Sequence, residues 1–209
     1  MFEPMIKNIV FDMGNVLIYF DRDYFLDMVG ITDSEDRKLL MREVYLSLEW
    51  SRMDRGSLTD DEAAEIMCSR VPERLHTAVH ALVNEWDRPI LPVLGMVELI
   101  KELKESGYKI YLLSNASYRQ HEYWPRVPGY ELFDGTIISA DEKLVKPQPE
   151  IYRLLFERFS ILPEESVFID DSTPNAEGAF FCGMNAIVFH NEVDELRCKL
   201  SELGVKVNR

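Results

Sequence analysis

The segment NIVFDMGNVLIYFD, residues Asn8 to Asp21, begins with a short apolar run and places a carboxylate, Asp12, directly after it. A continuous run of β-branched and aromatic residues is typical of a strand that is buried on both faces. Gly14 follows two residues after Asp12. A carboxylate at the end of a buried strand belongs either to a turn or to a functional site. The residues that follow the other predicted strands indicate which of these roles applies.

Four further apolar runs have the same character: KIYLLS ending at Ser114, GTIIS at Ser139, SVFID at Asp170 and NAIVF at Phe189. Segments with the 3.6-residue period of amphipathic helices accompany them, namely PVLGMVELIKELKESGYK, QPEIYRLLFERF and DELRCKLSELG. This alternation predicts right-handed crossovers and an α/β fold, a doubly wound, Rossmann-like parallel sheet covered by helices.

Residues 21–89 interrupt the alternation, because they read as several helices and no strand. One of these helices begins near Thr59, and Glu62 lies at the spacing of a capping box. The pattern predicts a core domain formed by residues 1–20 and 90–209, with a small helical cap inserted after the first strand. Such a cap is expected over the carboxyl edge of the sheet, where ligands bind in this architecture. The alternative is an additional packing layer without a gating role.

The composition indicates a globular chain with an acidic surface. Hydrophobic residues make up 46% of the 209 positions, and 37 Asp and Glu against 23 Lys and Arg give a net charge of −14. An acidic surface without a Lys/Arg stripe predicts that the protein does not bind nucleic acid. A phosphorylated small molecule is still compatible with this charge, because groups within a pocket override the global field.

The N-terminal sequence MFEPMIKNIVF lacks the features of a signal peptide, and no apolar run reaches the length of a membrane span. The three cysteines, Cys68, Cys182 and Cys198, are widely spaced and lack metal-ligand spacing. These features predict a cytoplasmic protein that does not associate with membranes. The sequence does not indicate an oligomeric state.

Polar residues follow four of the predicted strands: Asp12, the pair Ser114 and Asn115, Lys146 in the loop after the third strand, and the pair Asp170 and Asp171. Each position alone is explained by a turn or a helix cap. Because the carboxyl ends of parallel strands share one edge of the sheet, we expect these residues to converge there.

The expected cluster has a consistent chemistry. Carboxylates that lie close together repel each other unless a cation lies between them, and oxygen ligands without His or Cys favour Mg²⁺. Lys146 would place a positive charge beside a phosphate, and Ser114 and Asn115 would supply neutral donors. A carboxylate such as Asp12 can attack phosphorus to form an aspartyl-phosphate. The cluster therefore favours phosphoryl transfer from a small phosphate ester.

The sequence resembles the haloacid dehalogenase-like (HAD) hydrolase superfamily over nearly its whole length. The segments that match its four motifs are VFDMGNVL, YLLSN, VKPQPEIY and VFIDDS. More narrowly, LSNASYRQHEYWP, KPQPEIY and DDSTPNAEGA resemble the bacterial α-D-glucose-1-phosphatase group. The resemblance implies a Mg²⁺-dependent phosphatase that acts on a small phosphorylated metabolite, with a sugar phosphate such as a hexose 1-phosphate favoured.

The resemblance also implies a role for each matching residue. Asp12 is expected to be the nucleophile and a metal ligand. The phosphate is expected to contact Ser114, Asn115 and Lys146. The magnesium site would be completed by the backbone carbonyl of Gly14 and by the pair Asp170 and Asp171, of which Asp171 is favoured as the direct ligand.

Gly14 occupies a position where many phosphatases of this superfamily carry a second Asp, which protonates the leaving group. General acid–base catalysis contributes about 10²–10⁴-fold, so this contribution is either missing or supplied from elsewhere. Hydrolysis of the aspartyl-phosphate also needs a base that activates water, and the open candidates for this role are Asn15, cap residues such as Asp54, and metal-bound water. A glycine here is also compatible with a positive φ, at which an Asp side chain would be strained.

Two alternative functions are considered. A metal-independent 2-haloacid dehalogenase also lacks the second Asp, and Tyr152 matches a position which that family shares. Against it, the pair Asp170 and Asp171 would repel an anionic substrate in the absence of a metal. The other alternative is a non-catalytic protein that binds a phosphometabolite or a protein partner, with Gly14 marking a loss of activity.

Substrate specificity is expected to depend on polar and aromatic residues that face the site. Each of these residues has an equally simple explanation as part of a solvated loop or of the core. The candidates on the cap and near the second strand are Arg52, Asp54, Arg55, Trp86, Arg88, His121, Tyr123 and Trp124.

Overall fold

The structure, a computed structural model, describes residues 5–207. Its centre is a parallel five-stranded sheet with the order β3-β2-β1-β4-β5. The strands are β1 (Asn8–Phe11), β2 (Lys109–Ser114), β3 (Gly135–Ile138), β4 (Ser166–Asp170) and β5 (Asn185–Val188). All five lie in the apolar runs identified in the sequence, so the predicted doubly wound α/β fold is confirmed.

The α-helices of the described residues are α1 (Arg22–Met28), α2 (Ser34–Leu40), α3 (Leu48–Asp54), α4 (Asp60–Cys68), α5 (His76–Asn84), α6 (Met96–Glu105), α7 (Gln120–Tyr123), α8 (Ser139–Glu142), α9 (Pro149–Phe159), α10 (Thr173–Phe181) and α11 (Val193–Glu202). A π-helical turn at Met41–Tyr45 follows α2 directly. Within residues 5–207, no helix combines the length and the apolar character that a membrane span requires.

The sheet is covered on both faces, which explains why its strands do not alternate between apolar and polar residues. Ile9 and Phe11 of β1 belong to one hydrophobic cluster, together with residues of α6 and α11. Val10, whose side chain points to the opposite face, belongs to a second cluster with residues of α9 and α10. The parallel strands therefore end at a common edge that is framed by helices.

The segment between β1 and β2 has its own hydrophobic cluster, formed by residues of α1 to α5 such as Phe25, Leu40 and Met67. The capping box of α4 is present, because Thr59 Oγ1 accepts from the N–H of Glu62 while Glu62 Oε2 accepts from the N–H of Thr59. We call this helical segment the cap. Its boundaries at residues 21 and 89, and a gating role, stay predictions.

The turn after α3 joins the cap to the core through backbone groups. The carbonyl of Asp54 accepts a hydrogen bond from Ser139 Oγ, and the carbonyl of Gly56 accepts one from Lys143 Nζ. Gly56 has a φ of +65°, and a Cβ built there would lie 2.2 Å from the carbonyl oxygen of Ala140. Only glycine allows the two backbones to approach this closely.

We predict that Gly56→Ala destabilises the protein more than Gly30→Ala. Gly30 also has a positive φ, +75°, but nothing lies within 4 Å of a Cβ built there. The Gly30 variant therefore measures the conformational strain alone, which is about 1–2 kcal/mol. The Gly56 variant adds a clash with α8. Urea unfolding of both variants measures the difference, and equal losses of unfolding free energy would show that the close approach is unimportant.

Candidate active site

The carboxyl ends of β1 and β4 bring three carboxylates together. These strands pair in parallel, with Phe11 opposite Ile169, so the residues that follow, Asp12 and Asp170, become neighbours. Asp12, Asp170 and Asp171 each offer an oxygen, and these oxygens lie within 4.8 Å of one another. The predicted convergence of these three side chains is present in the structure.

Lys146 lies in the middle of this cluster. Its Nζ donates to Asp12 Oδ1 at 2.7 Å, to Asp170 Oδ2 at 2.7 Å and to the carbonyl of Leu113 at 2.9 Å. The Lys146 side chain is 1% exposed, so its charge is removed from water and compensated by these partners. The sequence placed Lys146 in a loop, and the structure turns that loop back onto the sheet edge.

The side chain of Asn115 holds the backbone of Lys146 in place. Asn115 Oδ1 accepts from the N–H of Lys146 at 2.8 Å, and Asn115 Nδ2 donates to its carbonyl at 3.0 Å. The Asn115 side chain therefore positions Lys146. The predicted contact between Asn115 and phosphate stays a prediction. Ser114 is buried at the end of β2 and does not line the cavity described below. Its contact with phosphate stays a prediction.

The cluster has more negative than positive charge. Burial raises the pKa of Asp12 to about 7, Lys146 opposes this rise, and the charge of Asp170 adds to it. The pKa of Asp171 is also raised, mainly by its partly desolvated surroundings. A divalent cation would balance the three carboxylates, and a set of oxygen ligands without His or Cys fits Mg²⁺.

The two acidic residues after β4 have different surroundings. Asp170 is fully buried, and its oxygens accept from Lys146, from the N–H of Ser172 and from Asn175 Nδ2. Asp171 lines the cavity and accepts from Asn15 Nδ2 at 3.0 Å. Asp171 therefore has more capacity than Asp170 to bind an additional cation, and its role as the direct metal ligand stays a prediction.

The backbone at Gly14 does not have the positive φ that a glycine would allow. Its neighbour Asn15, by contrast, has a φ of 53°. A Cβ at Gly14 would meet only Phe20 Cβ, at 3.9 Å. The left-handed conformation that a glycine would allow is taken up by Asn15, a residue type that tolerates it. Steric exclusion does not explain the missing carboxylate.

A cavity of about 430 Å³ opens above the cluster, between the strand ends and the cap. Asp12, Gly14, Asn115, Lys146 and Asp171 line its floor. The residues that the cap contributes are Arg22, Tyr45, Trp50, Ser51, Met53, Asp54, Asp60, Val83 and Trp86. Residues of the cap therefore line the same cavity as the carboxylate cluster.

The specificity candidates from the sequence separate into two groups. Asp54, Trp86 and Tyr123 line the cavity. The remaining candidates do not line it, and they are Arg52, Arg55, Arg88, His121 and Trp124. His121 is exposed and lies 3.0 Å from Asp141, and Trp124 packs against Phe133.

Sequence reasoning missed several residues of the cavity wall, among them Asp60 and Tyr45. Asp60, the first residue of α4, accepts a hydrogen bond from Ser117 Oγ at 2.7 Å. Tyr45 is 4% exposed, and its hydroxyl has no hydrogen-bond partner among the described residues. An acidic residue at the start of a helix is ordinarily interpreted as a favourable contact with the helix dipole, and a Tyr in an apolar pattern is interpreted as a core residue. No local signal separates these positions from their ordinary roles.

A family model for haloacid dehalogenase-like hydrolases matches residues 6–183. The chain belongs to this family. A crystal structure of a HAD family enzyme from Bacteroides thetaiotaomicron, in complex with magnesium and inorganic phosphate, has a TM-score of 0.64 and 27% identity. The match covers 87% of this HAD-like hydrolase and 93% of that chain.

Curated relatives of this HAD-like hydrolase include phosphatases. A phosphorylated carbohydrates phosphatase of Thermotoga maritima is 31% identical over 184 residues, 86% of this chain and 82% of that protein. A D-ribitol-5-phosphate phosphatase of Bacteroides thetaiotaomicron is 28% identical over 187 residues, 82% of this chain and 85% of that protein. A drimenol cyclase of Aspergillus calidoustus is 25% identical over 202 residues, 95% of this chain but 37% of that longer protein.

Asp54 has an unusual environment for a carboxylate. Burial raises its pKa to about 7, the negative charge of Asp60 contributes to the rise, Lys146 opposes it and Asp12 adds to it. The ordinary value is 3.8. In the protein without a divalent cation, native Asp54 therefore keeps its proton over a pH range in which the unfolded chain has lost it.

This difference predicts a pH-dependent stability. Because the native state binds more protons than the unfolded state between about pH 4 and pH 7, the contribution of Asp54 to the unfolding free energy is lost as the pH rises. Asp54→Asn removes this contribution. Urea unfolding in a chelator should show that wild type loses stability relative to the variant as the pH rises. Asp61→Asn, at an exposed position on α4, is the control. A difference that does not change with pH would contradict the assignment.

Proposed function

We propose that this HAD-like hydrolase is a Mg²⁺-dependent phosphatase that hydrolyses a small phosphate ester through an aspartyl-phosphate on Asp12. One observation carries the proposal: Asp12 lies in a single cluster with Lys146 and two further carboxylates, on the floor of a cavity covered by the cap. The magnesium and phosphate complex of the related HAD enzyme supports it.

The residues that would hold Mg²⁺ are the carboxylates of Asp12 and Asp171 and the backbone carbonyl of Gly14. Asp170 would complete the site by orienting Lys146, with which it forms a buried ion pair at 2.7 Å. When bound, the metal would neutralise charge on the phosphate oxygens and on the surrounding carboxylates. The net negative charge of the cluster and its oxygen donors fit such an ion.

The protein's own residues supply the nucleophile and fix its position. The carboxylate of Asp12 attacks phosphorus, the ester P–O bond breaks, and the phosphoryl group is carried on Asp12. Lys146 holds Asp12 Oδ1 and places a positive charge beside the phosphoryl oxygens. Water then attacks phosphorus, which releases inorganic phosphate and restores the Asp12 carboxylate.

The substrate that we favour is a carbohydrate phosphate. Two relatives bear the names of a phosphorylated carbohydrates phosphatase and a D-ribitol-5-phosphate phosphatase, which supports this class. The cavity has the volume of a small-molecule site, and Trp50 and Trp86 offer aromatic surface to a substrate. A hexose 1-phosphate is the choice made from the sequence, because an anomeric alcohol is a good leaving group.

We also propose that the protein works in the cytoplasm on small molecules. All three of its cysteines are free, which supports a reducing environment. The net charge of −14 supports the absence of nucleic-acid binding.

The dehalogenase alternative gains no support from the site. Tyr152, the sequence feature in its favour, is fully buried, and its hydroxyl donates to the carbonyl of Asn175 at 2.7 Å. It does not line the cavity. Tyr152 therefore has a packing role beneath α10.

The expected activity is release of phosphate in the presence of Mg²⁺ and its loss in a chelator, because the carboxylate cluster repels phosphate without a cation. A panel of sugar phosphates, sugar-alcohol phosphates, aryl phosphates and 2-haloacids tests this expectation. Halide release that is insensitive to the chelator would identify a dehalogenase. Binding of phosphate esters without turnover would identify a binding protein.

Asp12→Asn is the matched control in the same panel, because it removes the nucleophile and keeps the shape of the side chain. The variant should lose activity by about 10³-fold or more. Since Asn also weakens metal binding, Mg²⁺ affinity must be measured by calorimetry alongside the kinetics. An Asp12→Asn protein that keeps most of its activity would contradict the covalent mechanism.

A further inference from the structure

A phosphatase of the kind proposed above needs a proton for its leaving group, and the residue at position 14 has no side chain to supply it. The neighbouring Asn15 is already occupied, because its Oδ1 accepts from the N–H of Phe20 at 2.9 Å and its Nδ2 donates to Asp171 at 3.0 Å. An amide is also not an acid at neutral pH. The proton donor therefore has to come from another wall of the cavity.

The cavity wall contains two carboxyl groups from the cap, Asp54 and Asp60. Asp60 accepts a hydrogen bond from Ser117, and the charged groups that act on it are Arg119 and Asp61. The charged groups that act on Asp54 are Asp60, Lys146 and Asp12. Asp54 is therefore the cap carboxyl whose environment includes the nucleophile and its lysine.

Two tyrosines also line this cavity, Tyr45 and Tyr123. Burial raises the pKa of each hydroxyl above its usual range. Such hydroxyls are poorer proton donors than a carboxylic acid, whose proton is easily given to a departing alkoxide. The tyrosines suit substrate binding better than proton transfer.

Asp54 is separated from the metal-binding cluster. Among the described residues, the group of three carboxylates whose oxygens all lie within 4.8 Å of one another is Asp12, Asp170 and Asp171, and Asp54 is not a member. The ion pairs of Lys146 within 4.0 Å are with Asp12 and Asp170. Asp54 thus lines the same cavity as Asp12 and Asp171 without belonging to the three-carboxylate cluster.

Asp54 is also fixed relative to the core, although it belongs to the cap. Its carbonyl accepts from Ser139 Oγ, at the start of α8. Two residues later, Gly56 packs against the backbone of Ala140, where a residue with a Cβ would clash. A proton donor must be held within hydrogen-bond reach of its acceptor, and these backbone contacts provide that constraint.

We propose that Asp54 is the catalytic acid of this phosphatase and takes the role that an Asp at position 14 would have. As Asp12 attacks phosphorus and the ester P–O bond breaks, the electron pair stays on the leaving oxygen, which takes the proton of the Asp54 carboxyl. An alcohol leaves, and Asp54 becomes a carboxylate. Asp54 then accepts a proton from the water that attacks the aspartyl-phosphate. This step releases inorganic phosphate and restores the protonated Asp54 carboxyl and the Asp12 carboxylate.

The surroundings of Asp54 favour its protonated form before the reaction. Burial is the main cause of its raised pKa, with the negative charges of Asp60 and Asp12 adding and Lys146 opposing. Tyr123 is the further titratable group that the charge of Asp54 influences. A carboxyl with this environment can both give and regain a proton near neutral pH.

The test measures kcat/KM for a series of phosphate esters with increasingly basic leaving groups, from p-nitrophenyl to alkyl, in the Mg²⁺-loaded enzyme. Wild type should show a shallow dependence on leaving-group basicity. Asp54→Asn should lose about 10²–10⁴-fold on alkyl phosphates and less than about tenfold on p-nitrophenyl phosphate. Activity on the aryl ester, with an unchanged Mg²⁺ affinity, shows that the variant is folded and metal-competent.

Asp60→Asn is the matched control, since it removes the other cap carboxyl of the cavity. Any loss it causes should depend much less on the leaving group than in Asp54→Asn, because the Asp54 carboxyl is still present and only one of the charges that raise its pKa is removed. The proposal is overturned if kcat/KM of the wild-type enzyme falls steeply as the leaving group becomes more basic, because no acid then protonates the leaving group. It is also overturned if Asp54→Asn loses the same factor on all esters or loses nothing.

Failure of this proposal is distinguishable from failure of the proposed function. A wild-type enzyme that hydrolyses the esters with a steep dependence, or a variant with a uniform loss, leaves the phosphatase assignment intact and removes the role of Asp54. A wild-type enzyme that hydrolyses none of the esters overturns the phosphatase assignment and the role of Asp54 with it.

Discussion

The parallel pairing of β1 with β4 places Asp12 beside Asp170, and Asp171 follows at the next position. Three carboxylates at one sheet edge repel one another, and a single buried lysine, Lys146, compensates them only in part. Such an arrangement is stabilised when a divalent cation supplies the remaining positive charge. The conformation of the surrounding loops follows from this need, most clearly in the pairing of Asn115 with the backbone of Lys146.

The cap changes the chemistry of the cluster by covering it. Desolvation is the main cause of the raised pKa of both Asp12 and Asp54, so the cavity strengthens the interactions that a phosphate would make with Lys146. The close contact at Gly56 connects this cover to the core through the same turn that carries Asp54. Gly14 provides no acid to this site, and we propose that Asp54 of the cap provides it.

The sheet and the convergence of its polar ends were predictable from the sequence, because strand runs are local patterns and parallel strands share one carboxyl edge. The conformation of Gly14 was left open, because the composition of a turn does not show which of its residues takes the positive φ, and in the structure this residue is Asn15. The use of the Asn115 side chain and the placement of Asp54 and Tyr45 depend on tertiary packing. A single sequence shows the polar turns of a cap without showing which of them face the cavity.

The central claim is that Asp12 receives the phosphoryl group beside a magnesium ion held by Asp171. Crystals of the protein grown with Mg²⁺ and beryllofluoride, a mimic of a carboxylate-bound phosphoryl group, test it most directly. We expect beryllofluoride to be bonded to an oxygen of Asp12, in contact with Lys146, and Mg²⁺ to lie between Asp12, the carbonyl of Gly14 and Asp171. Beryllofluoride that is bound elsewhere, or a metal position away from these residues, would contradict it.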